Sequence, residues 1–184
     1  LAAGSIELLA QLAWSKTLLG FDFDGTLAPI VPRPGDARVA PGSLGTLAAV
    51  PLGAALLFLG PPYVWTAAVL LLAVGTWAAG RFCRDSGRSD DQRIVIDEVV
   101  GYLVTLAAAS PTLFGLALGY GLFRLFDIWK PWPIRLVDRR VHGGFGVMAD
   151  DVMAGLVGAP LLWLATIFVE PALRSLGVPL GRFG

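Results

Sequence analysis

The sequence predicts an all-α membrane protein, a polytopic helical bundle of about five short or spanning helices. Hydrophobic residues make up 55% of the 184-residue chain and charged residues only 15%, a composition too apolar for an ordinary soluble domain. Long uncharged runs recur and are separated by charged clusters or by Gly and Pro. The single cysteine excludes internal disulfides, and the balance of 14 basic and 14 acidic residues argues against a nucleic-acid partner.

The N-terminal segment, residues 1–43, differs from the predicted membrane domain at 44–184. Residues 1–19 are apolar on one face, which predicts a short helix that lies on the membrane surface or packs on the domain. Residues 20–43 are rich in Gly and Pro and are predicted to be a loop. The start of the chain has no basic region and no clear cleavage site, so we do not predict a signal peptide.

Apolar segments define the predicted helices, and two of these segments contain a proline. Charged loops are predicted at 81–93 and 130–149, and the second loop contains a short amphipathic piece at 134–141. Residues 170–184 are predicted to be a tail interrupted by Gly and Pro. The five predicted helices cover residues 44–59, 64–80, 94–109, 112–129 and 152–169.

The uncharged run at 99–123 is long enough for one membrane span, but Ser110-Pro111-Thr112 lies at its middle. In one continuous helix, Glu98 and Asp127 would be roughly 44 Å apart at about 1.5 Å per residue, and would lie on opposite sides of a bilayer. A turn at Ser110-Pro111-Thr112 brings both acids to one side. We therefore predict a hairpin of two helices.

Lysine and arginine collect on the cytoplasmic side of membrane proteins. With five spans, the N-terminal segment, residues 81–93 and residues 124–151 share one side, which then carries every basic residue except Arg174 and Arg182. The sequence therefore predicts that this side faces the cytoplasm, with the active site at the cytoplasmic interface.

This side also carries acidic residues at three separate points, each beside an apolar run. Ionisable groups at membrane edges are costly, which makes them candidates for function. Each point alone also has a structural explanation, because acids favour helix N-termini and an Arg–Asp pair three residues apart can form an intrahelical salt bridge. The acids are Asp97, Glu98, Asp127, Asp150 and Asp151, and the nearby basic residues are Arg124, Lys130, Arg135, Arg139 and Arg140.

Taken together, these acidic and basic residues indicate phosphate chemistry. Carboxylates without a cysteine or histidine cluster suit a hard cation such as Mg²⁺. Such a cation binds phosphate oxygens and can activate water, while Arg and Lys neutralise the developing charge. We predict metal-binding and catalytic roles for the five acids. Candidate substrate contacts are Arg124, Lys130, Arg139 and the single histidine, His142.

Other functions fit the sequence less well. A small membrane transporter or scaffold that uses the charges for ion coupling or assembly is the alternative, but it would place acids near the membrane midplane. Cys83 and Arg88 are one residue short of the C-x5-R phosphatase spacing. The lipid-phosphatase mechanism that uses two histidines is excluded, since His142 is the only one.

Three stretches, PGSLGTLAAVP, IVIDEVVG and FRLFDIWKPWPIRLVDRRVHGGFGVMADDVMAG, resemble the phosphatidylglycerophosphatase A family, over about residues 41–164. The resemblance implies a Mg²⁺-dependent, multi-pass phosphatase of the bacterial inner membrane. It implies that the phospholipid substrate, phosphatidylglycerophosphate, is converted to phosphatidylglycerol and phosphate. The acidic residues of the family motifs match the five acids above, and the basic ones match Arg124 and Lys130.

The N-terminal loop departs from the family pattern, GFGSGLxPxxPGTxGS. It reads GFDFDGTLAPIVPRPGDARVAPGSLGT, with extra residues at 33–40 and with Asp22 and Asp24 among the glycines. FDFDGTLAPIV resembles the DxDGT nucleophile motif of haloacid-dehalogenase-type phosphatases, particularly trehalose-phosphate phosphatase. A motif requires its structural context, and the Rossmann-like domain of those enzymes is not evident, so we expect this motif to be inactive.

Overall fold

The computed structural model describes residues 41–86 and 94–183, and this part of the chain is helical and contains no β-sheet. The all-α prediction is therefore confirmed for the described residues, while the predictions for the N-terminal segment up to residue 40 lie outside them. The helices are α1 (Pro41–Leu59), α2 (Pro61–Ser86), α3 (Ile96–Leu106), α4 (Leu113–Trp129), α5 (Ile134–Arg140), α6 (Gly143–Leu164) and α7 (Glu170–Ser175). A π-helical turn, Ala165–Val169, joins the last two helices.

Two helical segments in the described residues are long and apolar enough to cross a membrane, Pro61–Arg84 and Gly143–Ser175. Only 22% of each segment's most apolar window is buried inside the protein. Many of their large apolar side chains therefore face outward, as Trp77 on α2 does at 71% exposure. Extensive exposed apolar surface of this kind is typical of helices that contact lipid. Helix α1 is apolar but shorter.

Helices α3 and α4 form the predicted hairpin. Thr112 begins α4 as its N-cap, and its hydroxyl accepts a hydrogen bond of 2.9 Å from the backbone N–H of Gly115. At the other end of the hairpin, Arg124 of α4 lies 3.6 Å from the Glu98 carboxylate of α3. The alternative of one continuous span is therefore wrong.

Helix α3 is the central element of the bundle, and every residue from Val100 to Leu106 is buried. A Cβ atom at Gly101 would lie 2.6 Å from the Asp151 carbonyl oxygen of α6. A Cβ atom at Gly155 of α6 would in turn collide with the Gly101 carbonyl oxygen. The absent side chains let the two backbones approach, and this contact brings the start of α3 beside Asp151.

The predicted start of the last helix at residue 152 is wrong, because α6 begins at Gly143. Residues 143–149, predicted to belong to the charged loop, are therefore helical. Gly144 packs directly against the backbone of α2 at Thr76 and Gly80, so the glycine serves close helix packing. Asp150 and Asp151 consequently lie about two turns inside α6 and do not cap its N-terminus.

Three predicted loops are also more helical than expected. Helix α2 continues through residues 81–86, and Arg84 in its last turn complements the negative end of the helix dipole. The charged region 130–149 contains α5, as predicted for its amphipathic piece, and the first turns of α6. The tail begins with α7, in which Pro171 occupies the first turn, where a proline ring is tolerated.

The hairpin turn is held by the C-terminal part of the chain. Glu170 is only 3% exposed and accepts hydrogen bonds from the Ser110 and Thr112 hydroxyls, the latter at 3.0 Å. The backbone N–H of Leu113 donates to the Gly181 carbonyl at 3.1 Å. A cavity of about 260 Å³ lies beside Glu170, and its lining contains none of the predicted site residues.

Candidate active site

Three helices place the predicted carboxylates at one end of the bundle. The first turn of α3 carries Asp97 and Glu98, the last turns of α4 carry Arg124 and Asp127, and α6 carries its two aspartates. The close α3–α6 contact and the hairpin together bring these groups to one place. We define the acidic cluster as the five acids Asp97, Glu98, Asp127, Asp150 and Asp151. Two basic residues, Arg124 and Lys130, contact this cluster.

Arg124 links the two helices of the hairpin. Its side chain is 5% exposed, and its Nη1 lies 2.7 Å from Asp127 Oδ2 and 3.6 Å from Glu98 Oε1. The Asp127 contact is the salt bridge expected from the three-residue spacing, and the Glu98 contact was not evident from that spacing. A charged group at this depth needs partners of opposite charge, so this ion-pair network also holds α3 against α4.

Lys130 ends α4 in the left-handed conformation, with φ of 43° and ψ of 58°, and its backbone N–H donates to the Phe126 carbonyl at 2.9 Å. This cap fixes the direction in which the side chain leaves the helix. The ammonium Nζ lies 2.6 Å from Asp150 Oδ2 and 2.8 Å from Asp138 Oδ1. Burial opposes the charge, but the hydrogen bonds that Lys130 donates to both carboxylates outweigh it and raise the pKa of Lys130, so the group stays cationic.

Asp138 is a cluster contact that the sequence alone did not indicate. It lies on α5, four residues after the fully buried Ile134, so both side chains occupy the same helical face. That spacing is the signal that could have shown Asp138 turned toward the protein, but it becomes informative only once α5 is known to be a helix.

The aspartates of the cluster lie close enough to influence one another. Asp151 is 4% exposed and interacts electrostatically with Asp127, Asp97 and Asp150. Asp97, in the first turn of α3, is half-buried, interacts with the negative charges of Asp150 and Asp127, and accepts a hydrogen bond of 3.0 Å from the Glu98 N–H. Crowding of this kind disfavours full ionisation unless a cation compensates for it.

The donor set of the cluster consists of carboxylate oxygens, which are the ligands that hard cations prefer. In the described part of the chain, no three acidic, His or Cys side chains are already arranged as a metal-binding set. Arg124 and Lys130 are instead the cations that the carboxylates contact. The chemistry of the donors thus fits Mg²⁺, and the predicted metal-binding roles stay predictions.

Two predicted substrate contacts, Arg139 and His142, lie at the edge of this region. Arg139 is exposed in the last turn of α5, and His142 is the exposed residue that precedes α6. Neither takes part in the ion pairs that hold the cluster together. Cys83 is a half-buried residue near the end of α2, and Arg88, whose spacing from Cys83 does not fit the C-x5-R motif, lies outside the described residues.

Comparison with known proteins agrees with the resemblance noted in the motifs. Phosphatidylglycerophosphatase A of Escherichia coli (strain K12) is 38% identical over 148 residues, which cover 79% of this chain and 80% of that protein. Phosphatidylglycerophosphatase A of Haemophilus influenzae is 40% identical over 119 residues, 64% of this chain and 73% of that protein. A Bacteroides thetaiotaomicron protein, provisionally named a phosphatidylinositol-3-phosphatase, is 37% identical over 139 residues, 71% of this chain and 86% of that protein.

No solved structure matches the chain. The family model for phosphatidylglycerophosphatase A matches residues 28–166, a range that includes the whole acidic cluster and begins after Asp22 and Asp24. The chain therefore belongs to the phosphatidylglycerophosphatase A family.

Proposed function

We propose that this protein is a phosphatidylglycerophosphatase, which hydrolyses the terminal phosphate monoester of phosphatidylglycerophosphate and leaves phosphatidylglycerol and inorganic phosphate. The observation that carries the proposal is the meeting of the acidic cluster with Arg124 and Lys130 at one end of the bundle, in a chain of this family. Phosphoryl transfer depends mainly on positioning and on stabilising negative charge, and these residues supply both.

Arg124 and Lys130 are the groups that we assign to phosphate binding. The planar guanidinium of Arg124 can contact two phosphate oxygens, and Glu98 and Asp127 hold its Nη1 from two helices. The ammonium group of Lys130 acts as a point charge at the outer edge of the cluster, where its side chain is 30% exposed. Both cations are held in place before the substrate arrives, which reduces the entropic cost of binding it.

Mg²⁺ is the cofactor that we assign to the acidic cluster. The carboxylates of Asp97, Asp127, Asp150 and Asp151, with Glu98 beside them, would hold the ion. When bound, Mg²⁺ supplies a Lewis acid for the phosphoryl oxygens and lowers the pKa of a bound water. The depth of Asp151 and the burial of Arg124 keep bulk water away from these groups, so charge interactions there are stronger than at the surface.

We place the protein in the bacterial cytoplasmic membrane as a multi-pass protein, with the acidic cluster at the cytoplasmic interface. The distribution of basic residues supports this orientation. Trp129 is the last residue of α4, and Trp132 follows three residues later. Their side chains are 62% and 80% exposed, as suits aromatic residues at a lipid headgroup layer. A substrate anchored in the bilayer by its acyl chains would present its terminal phosphate at this level.

Phosphate release from defined lipids tests the function. The purified full chain in detergent should release phosphate from phosphatidylglycerophosphate with Mg²⁺, and should lose this activity after chelation. Phosphatidylinositol 3-phosphate belongs in the same experiment, because one relative bears that activity in its name. Faster release from the inositol lipid would reassign the substrate, and activity that survives chelation would contradict the assigned cofactor.

A further inference from the structure

Lys130 shares its ammonium group between carboxylates from two helices. Asp150 Oδ2 of α6 lies 2.6 Å from Nζ, and Asp138 Oδ1 of α5 lies 2.8 Å from the same atom. Asp138 is held in this position because Ile134, one turn earlier on the same face of α5, is fully buried. The pairing of Lys130 with Asp138 therefore reflects how α5 docks on the bundle.

The two carboxylates differ in exposure, and this difference decides which of them can be released. The Asp138 side chain is 40% exposed, whereas that of Asp150 is 13% exposed. Water readily solvates a carboxylate that leaves an exposed ion pair, so breaking the Asp138 contact costs little. Breaking the Asp150 contact would leave a largely buried carboxylate without its cation, which is expensive.

We propose that Asp138 is a positioning residue that pairs with Lys130 Nζ in the resting enzyme, on the side where the substrate phosphate binds. When the substrate binds, its phosphate replaces the Asp138 carboxylate at Nζ. A phosphate monoester carries up to two negative charges near neutral pH and is a stronger partner for the ammonium group than one exposed carboxylate. Lys130 keeps its contact with Asp150 during the exchange, so its ammonium group stays directed at the cluster. This inference rests on the proposed function.

The exchange has a kinetic signature that a purely structural role would not produce. Asp138→Asn removes an internal competitor for Lys130, so the KM for the lipid phosphate and the inhibition constant for inorganic phosphate should both fall, by roughly two- to fivefold, the range for an exposed ion pair. Because Lys130 loses one of the groups that hold it, kcat should fall as well. Asp138→Glu keeps the charge and should restore values near those of the wild type.

A matched variant separates this effect from a change in net charge. Leu136→Lys adds the same single positive charge to α5, but two residues away and hence on nearly the opposite side of the helix, where Leu136 is 37% exposed. It should leave KM and the phosphate inhibition constant unchanged. If Leu136→Lys lowers both as much as Asp138→Asn does, or if Asp138→Asn leaves them unchanged or raises them, the proposal is wrong.

A second readout does not require turnover. Inorganic phosphate should raise the melting temperature of Asp138→Asn at lower concentrations than it does for the wild-type chain or for Leu136→Lys. If the wild-type chain hydrolyses no lipid phosphate, the proposed function fails, and this titration alone then decides the role of Asp138. Identical phosphate titrations for Asp138→Asn and the wild type would overturn the role.

Discussion

Arg124 links the two helices of the hairpin and belongs to the proposed phosphate site. Its guanidinium group pairs with Glu98 of α3 and Asp127 of α4, so it joins the two helices at the point where we place the substrate phosphate. Lysine would retain the charge but would lose the planar fork that can contact several oxygens at once. Arg124→Lys therefore separates the contribution of the positive charge from that of the guanidinium geometry.

Arg124→Lys should lower kcat/KM by roughly 10- to 100-fold, since a hydrogen bond to a charged group contributes about 1.5–3 kcal/mol. The matched control is Arg135→Lys, because Arg135 is exposed on α5 and outside the cluster. Steady-state kinetics on the lipid phosphate, with circular dichroism to verify folding, provide the measurement. An Arg124→Lys variant as active as Arg135→Lys would remove Arg124 from the site.

The close contact between α3 and α6 brings the carboxylates of the acidic cluster together. Gly101→Ala places a Cβ atom 2.6 Å from the Asp151 carbonyl oxygen, which is backbone and can move only with α6. The substitution should destabilise the protein by about 1–3 kcal/mol, as overpacking does. It should also reduce activity in the protein that remains folded, because Asp97 and Asp151 are displaced from each other.

Gly121→Ala is the matched control, since nothing lies within 4 Å of a Cβ atom at this α4 position. Alanine there should leave the melting temperature unchanged or raise it, because glycine is the poorer helix former. Thermal unfolding in detergent compares the two variants. Equal melting temperatures for Gly101→Ala and Gly121→Ala would show that the close contact does not limit stability.

The hairpin is predictable from the sequence, whereas the start of α6 is not. Ser110-Pro111-Thr112 is a local turn signal, and the separation of Glu98 from Asp127 along the chain makes one continuous helix implausible. The glycines at 143–146 carry no such information, because glycine suits both a flexible loop and a close helix contact. Only the position of α2 against Gly144 shows which of the two applies.

The acids of the cluster could be predicted from their local sequence context, whereas Asp138 could not. Acids beside apolar runs are conspicuous, so every member of the acidic cluster can be identified from the sequence. Asp138 lies in a stretch rich in charge, and its four-residue spacing from Ile134 becomes informative only once α5 is known to be a helix. The burial of Ile134 and the direction of Lys130 are tertiary facts, and they are what make Asp138 significant.

The proposed topology places 81–93 and 124–151 in the cytoplasm and the hairpin turn on the other side of the membrane. Single cysteines introduced by Ser89→Cys, Ser110→Cys and Arg139→Cys, in a Cys83→Ser background, test this arrangement with a membrane-impermeant thiol reagent. In intact cells only the cysteine at position 110 should react. The orientation would be wrong if the cysteine at position 139 reacted in intact cells. It would also be wrong if the cysteine at position 110 reacted only after the cells were lysed.

We propose that the acidic cluster, and not the N-terminal DxDGT stretch, carries the phosphatase activity. The most direct measurement is Mg²⁺-dependent phosphate release from phosphatidylglycerophosphate by the wild type, Asp127→Asn and Asp22→Asn, purified and assayed side by side. We expect Asp127→Asn to lose activity by orders of magnitude, because it removes a proposed metal ligand and the main partner of Arg124 together. Asp22→Asn should retain turnover close to that of the wild type. Loss of turnover in Asp22→Asn, with activity preserved in Asp127→Asn, would show that the DxDGT stretch carries the activity and that the acidic cluster does not.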